Sequence, residues 1–261
     1  MSSPAGSART ALVTGGGRGI GAAIARRLTA EGIAVVVSAR TEAEIEAVAA
    51  ELVAGGAEAV AIACDVTDAA QVVELAERAI ARFGAVDILI NNAGVADSAP
   101  VHRITLENWN RLLAINATGP FLLTQAILPT MLASGWGRVV NIASVAGLTG
   151  AKYIAAYTAS KHALIGFTRA LAAEVAGRGV TVNAVCPGYV DTPMTDQSVA
   201  RIVEKTGRES EAVRQAMRDR SPQGRLIAPD EVAHVVAGLC DERAGGINGQ
   251  AIVIDGGATH A

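Results

Sequence analysis

Seven short runs of aliphatic and β-branched residues recur along the chain, and several are apolar at consecutive rather than alternate positions. A strand with one wet face alternates polar and apolar residues, so consecutive apolar positions predict parallel strands covered on both faces. The runs are TALVT (10–14), IAVVVSA (33–39), AVAIAC (59–64), VDILIN (86–91), RVVNIAS (138–144), VTVNAVC (180–186) and AIVID (251–255). Between them lie segments of helical period. In QVVELAERAIARFG, residues Val72, Leu75, Ala76, Ala79, Ile80 and Phe83 fall at steps of three and four, and Gly84 ends the pattern. TEAEIEAVAAELVAGG reads the same way, with Thr41 as N-cap and Gly55 as stop. Repeated strand–helix alternation implies right-handed crossovers. The predicted fold class is therefore α/β: a Rossmann-type doubly wound parallel sheet of about seven strands with helices on both faces. No linker divides the chain, so residues 10–261 read as a single domain behind a short flexible tail at 1–9.

Composition excludes several functions. A chain of 261 residues that is 51% hydrophobic can bury a large core. A net charge of −3 gives no basic character to hold nucleic acid. No apolar run reaches the ~18 residues that suggest a membrane span, and MSSPAGSART lacks the charged-then-apolar order of a secretory signal. The expected location is cytoplasmic. Cys64, Cys186 and Cys240 are too far apart for a disulfide framework, and the four histidines show no ligand spacing, so no metal is expected. Cys64 and Cys240 read as small buried apolar residues.

The first predicted strand runs into TGGGRGIG (14–21) and then a helical segment. Glycine at this junction lets backbone approach a phosphate, while the helix start offers free N–H groups and a positive dipole end. The spacing is T-G-x-x-x-G-x-G, with Gly15, Gly19 and Gly21 at fixed positions and Gly17, Arg18 and Ile20 between them. A NAD-binding unit places an acidic residue at the end of the second strand to accept from the ribose hydroxyls. Here Ser38, Ala39 and Arg40 stand instead. Two guanidiniums, Arg18 and Arg40, suit a 2′-phosphate, so NADPH is expected rather than NADH.

Tyr157 and Lys161, in YTASK (157–161), are four apart and share one helix face. With the ordered motifs TGGGRGIG, CDV (64–66), NNAG (91–94), IN (115–116), NIAS (141–144), CPG (186–188) and IDGG (254–257), they give the chain a specific resemblance to the short-chain dehydrogenases/reductases, from Thr10 to about Gly257. The resemblance implies a catalytic tetrad of Asn116, Ser144, Tyr157 and Lys161. It puts Asp65 and Val66 at the adenine, and Asn91, Ala93 and Gly94 at the cofactor floor. Pro187, Gly188, Val190 and Thr192 would line the nicotinamide side. In the reaction implied, Tyr157 donates a proton to a carbonyl oxygen held by Ser144, and the Lys161 ammonium eases the phenolate left behind. Asn116 would hold a water leading from Lys161 to solvent.

Substrate choice falls to segments the family varies. Val95, Leu148, Tyr189 and Met194 are expected to form an apolar pocket with Ser144 and Tyr157, and residues 189–226 read as a mobile lid. The lid carries Arg201, Lys205, Arg208, Arg214, Arg218 and Arg220, read either as a solvated face or as partners for the phosphates of a thioester carrier. Within the family the chain is similar to polyketide ketoreductases and 3-oxoacyl thioester reductases. That implies a free or thioester-linked ketone as substrate; a broader dehydrogenase of alcohols, sugars or cyclic ketones is the alternative. The family usually forms tetramers or dimers. Small residues at Ala155, Ala159, Ala163, Gly166 and Ala170 permit close packing, between subunits or onto the chain's own sheet.

Overall fold

A computed structural model, described for residues 9–259, contains all seven strands. They are β1 (Thr10–Thr14), β2 (Ala34–Ala39), β3 (Ala59–Ala63), β4 (Ile88–Asn91), β5 (Gly137–Ile142), β6 (Val180–Pro187) and β7 (Ala251–Ile254). The helices are α1 (Gly19–Ala30), α2 (Glu42–Ala54), α3 (Ala69–Phe83), α4 (Leu106–Leu113), α5 (Gly119–Ser134), α6 (Ala155–Val175), α7 (Pro193–Thr206), α8 (Ser210–Arg218) and α9 (Pro229–Cys240). Residues 1–8 of the expected tail lie outside the described residues.

All strand pairs are parallel, in the order β3-β2-β1-β4-β5-β6-β7. Their apolar residues divide between two cores. Val13, Val35, Val37, Ile88 and Ile90 pack with α1, α2 and α9, whereas Leu12, Val36 and Leu89 pack with α3, α5 and α6. Neighbouring positions in one strand thus serve opposite faces, which is why the runs are continuously apolar. Each fully buried side chain of this size contributes about 1.5–3 kcal/mol.

One local expectation needs correction: Thr41 takes the extended N-cap backbone of α2, but its hydroxyl makes no capping bond. Gly55 is the C-cap of α2, as expected, and the left-handed residue follows it at Gly56 (φ +87°).

The run Leu106–Ser134 forms one continuous helix of 29 residues, long and apolar enough by length and composition to cross a membrane. Its Leu123, Ile127 and Met131 are instead buried against the sheet. A five-residue π-helical turn, Ala114–Thr118, interrupts it and carries Asn116.

β1 has β2 on one side and β4 on the other, so the chain leaves the sheet in opposite directions at their C-terminal ends. That switch point is where open α/β sheets form their ligand crevice.

Candidate active site

The loop after β1 is held close to the loop after β4. Asn92 Nδ2 donates to the Thr14 and Gly15 carbonyls at 2.8 and 3.0 Å, and Thr14 Oγ1 accepts from the Asn92 and Ala93 N–H groups. Glycine is obligatory at two points here. Gly15 has φ +61°, and a Cβ on Gly21 would stand 2.2 Å from the Gly15 oxygen. No side chain caps the start of α1, so its first N–H groups stay available beside the loop.

This loop bounds a cavity of about 460 Å³. Gly15, Gly17, Arg18, Gly19, Ile20, Arg40, Asp65, Val66, Ala93 and Gly94 all line it. Gly21 does not line it; it permits the close approach behind it. Asn91 is likewise off the wall. It is 2% exposed, and its amide donates to Thr124 Oγ1 and Asn141 Oδ1, tying β4 to α5 and β5. Its neighbour Asn92 faces the cavity instead. Strand alternation could have pointed to that exchange, since only one of two adjacent residues can face the crevice.

A second cavity, of about 520 Å³, is lined by Ser144, Tyr157 and Lys161. Pro187, Gly188, Val190 and Thr192 line it too, as do Val95, Tyr189 and Met194 of the expected substrate pocket. Leu148 does not; it packs against the small core of Ala143, Leu164 and Ile165, and Thr149 takes its place on the wall. Ile20, Asn92, Gly94, Val95, Thr192 and Met194 line both cavities, so the two adjoin. The segment Asp255–Thr259 also contributes to the wall, a role that IDGG alone did not disclose.

Lys161 is 4% exposed and donates from Nζ to the Ile142 carbonyl at 2.8 Å. The same nitrogen lies 5.9 Å from the centre of the Tyr157 ring. Burial lowers the Lys161 pKa to about 8, and burial raises that of Tyr157 above 10, opposed by the neighbouring Ser144 hydroxyl. The expectation that lysine charge pulls the phenol down is therefore reversed in the protein alone. Desolvation disfavours both charged forms, so the Tyr157 phenol is held protonated.

Asn116 is fully buried within the π-helical turn. Its Oδ1 accepts from Val95 N at 2.9 Å, and its Nδ2 donates to Val95 O and Ser160 Oγ, each at 2.9 Å. Both amide hydrogens are spent on protein. A water held here has only the remaining lone pairs and the backbone carbonyl to use.

Over the second cavity lie α7 and α8. Arg201 Nη1 donates to the Ala96 carbonyl at 2.9 Å and lies 3.3 Å from Asp97; Lys205 Nζ donates to the Ser98 carbonyl at 2.9 Å. Arg214 pairs with Asp191 and Asp196, and Arg218 pairs with Glu211. Among the described residues, Arg220 is the one of the six lid cations with no side-chain hydrogen bond or ion pair, and it lines the cavity.

A protein family described as short chain dehydrogenase matches residues 9–202. A 3-oxoacyl-[acyl-carrier-protein] reductase of Synechocystis sp. is 41% identical over 252 residues, covering 96% of each chain. A D-β-hydroxybutyrate dehydrogenase of Cupriavidus necator is 37% identical over 253 residues, 95% of this chain and 97% of its own. Among solved structures, a variant of actinorhodin polyketide ketoreductase crystallised with NADPH superposes with a TM-score of 0.94 at 39% identity. That match covers 97% of this chain and 98% of the ketoreductase.

Proposed function

The chain belongs to the short chain dehydrogenase family, and on that premise we propose that it is an NADPH-dependent ketoreductase acting on a 3-oxoacyl thioester or a polyketide-like ketone. The observation that carries the reading is the shared wall between the cavities: Ser144, Tyr157 and Lys161 stand where a nucleotide in the glycine-loop cavity would present its reactive end. The first cavity fits such a group. Gly15, Gly17 and Gly19 leave bare backbone on its wall, the start of α1 is uncapped, and Arg18 and Arg40 line it.

When bound, the nicotinamide supplies the hydride. The protein's own residues do the rest. Ser144 Oγ donates to the substrate carbonyl oxygen, Tyr157 delivers its proton as charge builds there, and Lys161 stabilises the phenolate. Asp65 and Val66 would flank the adenine. The segment 189–226 acts as the lid, with α7 fastened over the cleft through Arg201 and Lys205. Arg18 and Arg40 support NADPH, as does the ketoreductase relative crystallised with NADPH.

The substrate class is tested by NADPH oxidation against acetoacetyl thioesters, cyclic ketones and simple sugars. Thioester reduction is expected to dominate; no oxidation with any thioester removes the reading. The D-β-hydroxybutyrate dehydrogenase relative favours a second reading, a dehydrogenase of small secondary alcohols, which that panel would expose.

Arg220 is assigned to the anionic arm of a thioester carrier, since its side chain has no partner among the described residues and lies on the cavity wall. Arg220→Ala is expected to raise the KM for acetoacetyl-CoA by about 3–10-fold and to leave a truncated acetoacetyl thioester unaffected. Equal effects on both would show that Arg220 does not read the arm.

The small-residue stripe of α6 points away from the sheet. Ala155, Ala163, Gly166 and Ala170 are exposed, whereas Ala156, Leu164, Ile165 and Leu171 fill the core. Phe121 is 43% exposed beside this stripe, edge-on to Phe167 at 6.0 Å. We assign this face to a second copy of the chain, within a homotetramer or dimer of a cytoplasmic enzyme. Sedimentation velocity checks the assignment, with Gly166→Arg expected to shift the protein toward monomer; a monomeric wild type would remove it.

A further inference from the structure

Both arginines expected to grip a 2′-phosphate meet a carboxylate of this chain. Arg40 Nη1 lies 3.9 Å from Asp65 Oδ2, and Arg18 Nη1 donates to Glu44 Oε1 at 3.2 Å. The two carboxylates differ in what else they do. Asp65 Oδ1 accepts from the Thr67 N–H at 2.9 Å and from the Thr67 hydroxyl at 2.7 Å, so it orders its own turn. Glu44 has no second duty: among the described residues, Arg18 is its only side-chain partner.

Glu44 is also fixed in place. It sits in the first turn of α2, on the wall of the same cavity as Arg18 and Arg40. Its body lies against the glycine loop, where a Cβ on Gly17 would stand 2.8 Å from Glu44 Cβ and 3.3 Å from Oε2. A carboxylate held there acts on an arriving phosphate in two ways. It competes for the Arg18 guanidinium, and it repels a second anion across a short, partly shielded gap. A ribose hydroxyl suffers neither effect, since it needs no cation and can donate to a carboxylate.

We infer that Glu44 is a specificity-determining residue that holds down affinity for the 2′-phosphorylated cofactor and so narrows the preference for NADPH over NADH. The inference rests on the reading of Arg18 and Arg40 as a 2′-phosphate grip. Two arginines in the cavity then overstate that preference, because one of them is already engaged. Arg18 is released only when the phosphate outcompetes Glu44.

Calorimetric titration of the wild type, Glu44→Gln, Arg18→Met and the double variant with 2′,5′-ADP, 5′-AMP, NADPH and NADH tests this. Glu44→Gln is expected to tighten 2′,5′-ADP and NADPH by about 3–10-fold, the range of a partly exposed ion pair plus a removed repulsion. Binding of 5′-AMP and NADH should stay within about twofold, and the gain should shrink in the Arg18→Met background. Unchanged or weaker binding of 2′,5′-ADP by Glu44→Gln overturns the inference. It leaves the NADPH reading standing so long as the wild type binds 2′,5′-ADP more tightly than 5′-AMP. Equal wild-type affinity for those two fragments overturns the NADPH reading, and the inference with it.

Discussion

Tyr157→Phe is expected to cut ketone reduction by about 10²–10⁴-fold while leaving the NADPH dissociation constant within about twofold of wild type. The phenol hydroxyl is the one group on the second cavity wall whose burial keeps a proton in place: desolvation raises its pKa, against the opposing Ser144 hydroxyl. Removing that oxygen leaves the ring volume and the Lys161 bond to Ile142 untouched, so folding and nucleotide binding should hold. Turnover and NADPH fluorescence titration, measured on the same preparation, separate the two effects. Activity within tenfold of wild type would remove Tyr157 as proton donor. Combining the change with Ser144→Ala should add little, because the two hydroxyls act on a single oxygen.

The sheet was legible because burial on both faces leaves a one-dimensional mark. Val35, Val36 and Val37 must each be apolar, whichever core they enter. The glycine loop was legible for a similar reason: Gly21 admits no side chain against the Gly15 oxygen, so the residue type reports the contact. Pairings between distant segments leave no such mark. Strand alternation says that only one of Asn91 and Asn92 can face the crevice, but the register of β4 is needed to show that Asn91 turns inward to Thr124 and Asn141. Glu44 is one of two acids in the first turn of α2, and only the fold brings it to Arg18. Leu148 was misassigned because an apolar residue after Ser144 suits a pocket wall and a core equally well. The lid cations show the same limit. Their charges were plain, but only the fold shows that Arg201 and Lys205 bind the carbonyls of Ala96 and Ser98 while Arg220 has no partner among the described residues.

Lys161→Met is expected to make the protein more stable and nearly inactive, and the stability gain should vanish as pH rises. The folded pKa of Lys161 is about 8, against 10.5 for a free side chain. Between those values the unfolded chain binds more protons than the folded one, so wild-type stability increases with pH across that window. Below about pH 8 the whole cost of the buried ammonium is present, on the order of 3 kcal/mol. Methionine removes that cost but leaves the Ile142 carbonyl unpaired, returning about 1 kcal/mol. The net gain at pH 7 is then about 2 kcal/mol, or roughly 4–8 °C in melting midpoint for a chain of this size. Near pH 10.5 the lysine is half neutral even when unfolded, and the variant should melt no higher than wild type. On the proposed mechanism, in which the ammonium would serve both the phenolate and the ribose of a bound nicotinamide nucleotide, turnover should fall by at least about 10²-fold and NADPH binding should weaken as well. A variant melting at or below the wild-type midpoint at pH 7 would show that the lysine is neutral or net stabilising in the fold. Loss of rate with full NADPH affinity would confine its role to the proton. On the proposed mechanism such a lysine is kept at a cost in stability because the reaction would need a positive charge where the fold alone would exclude one.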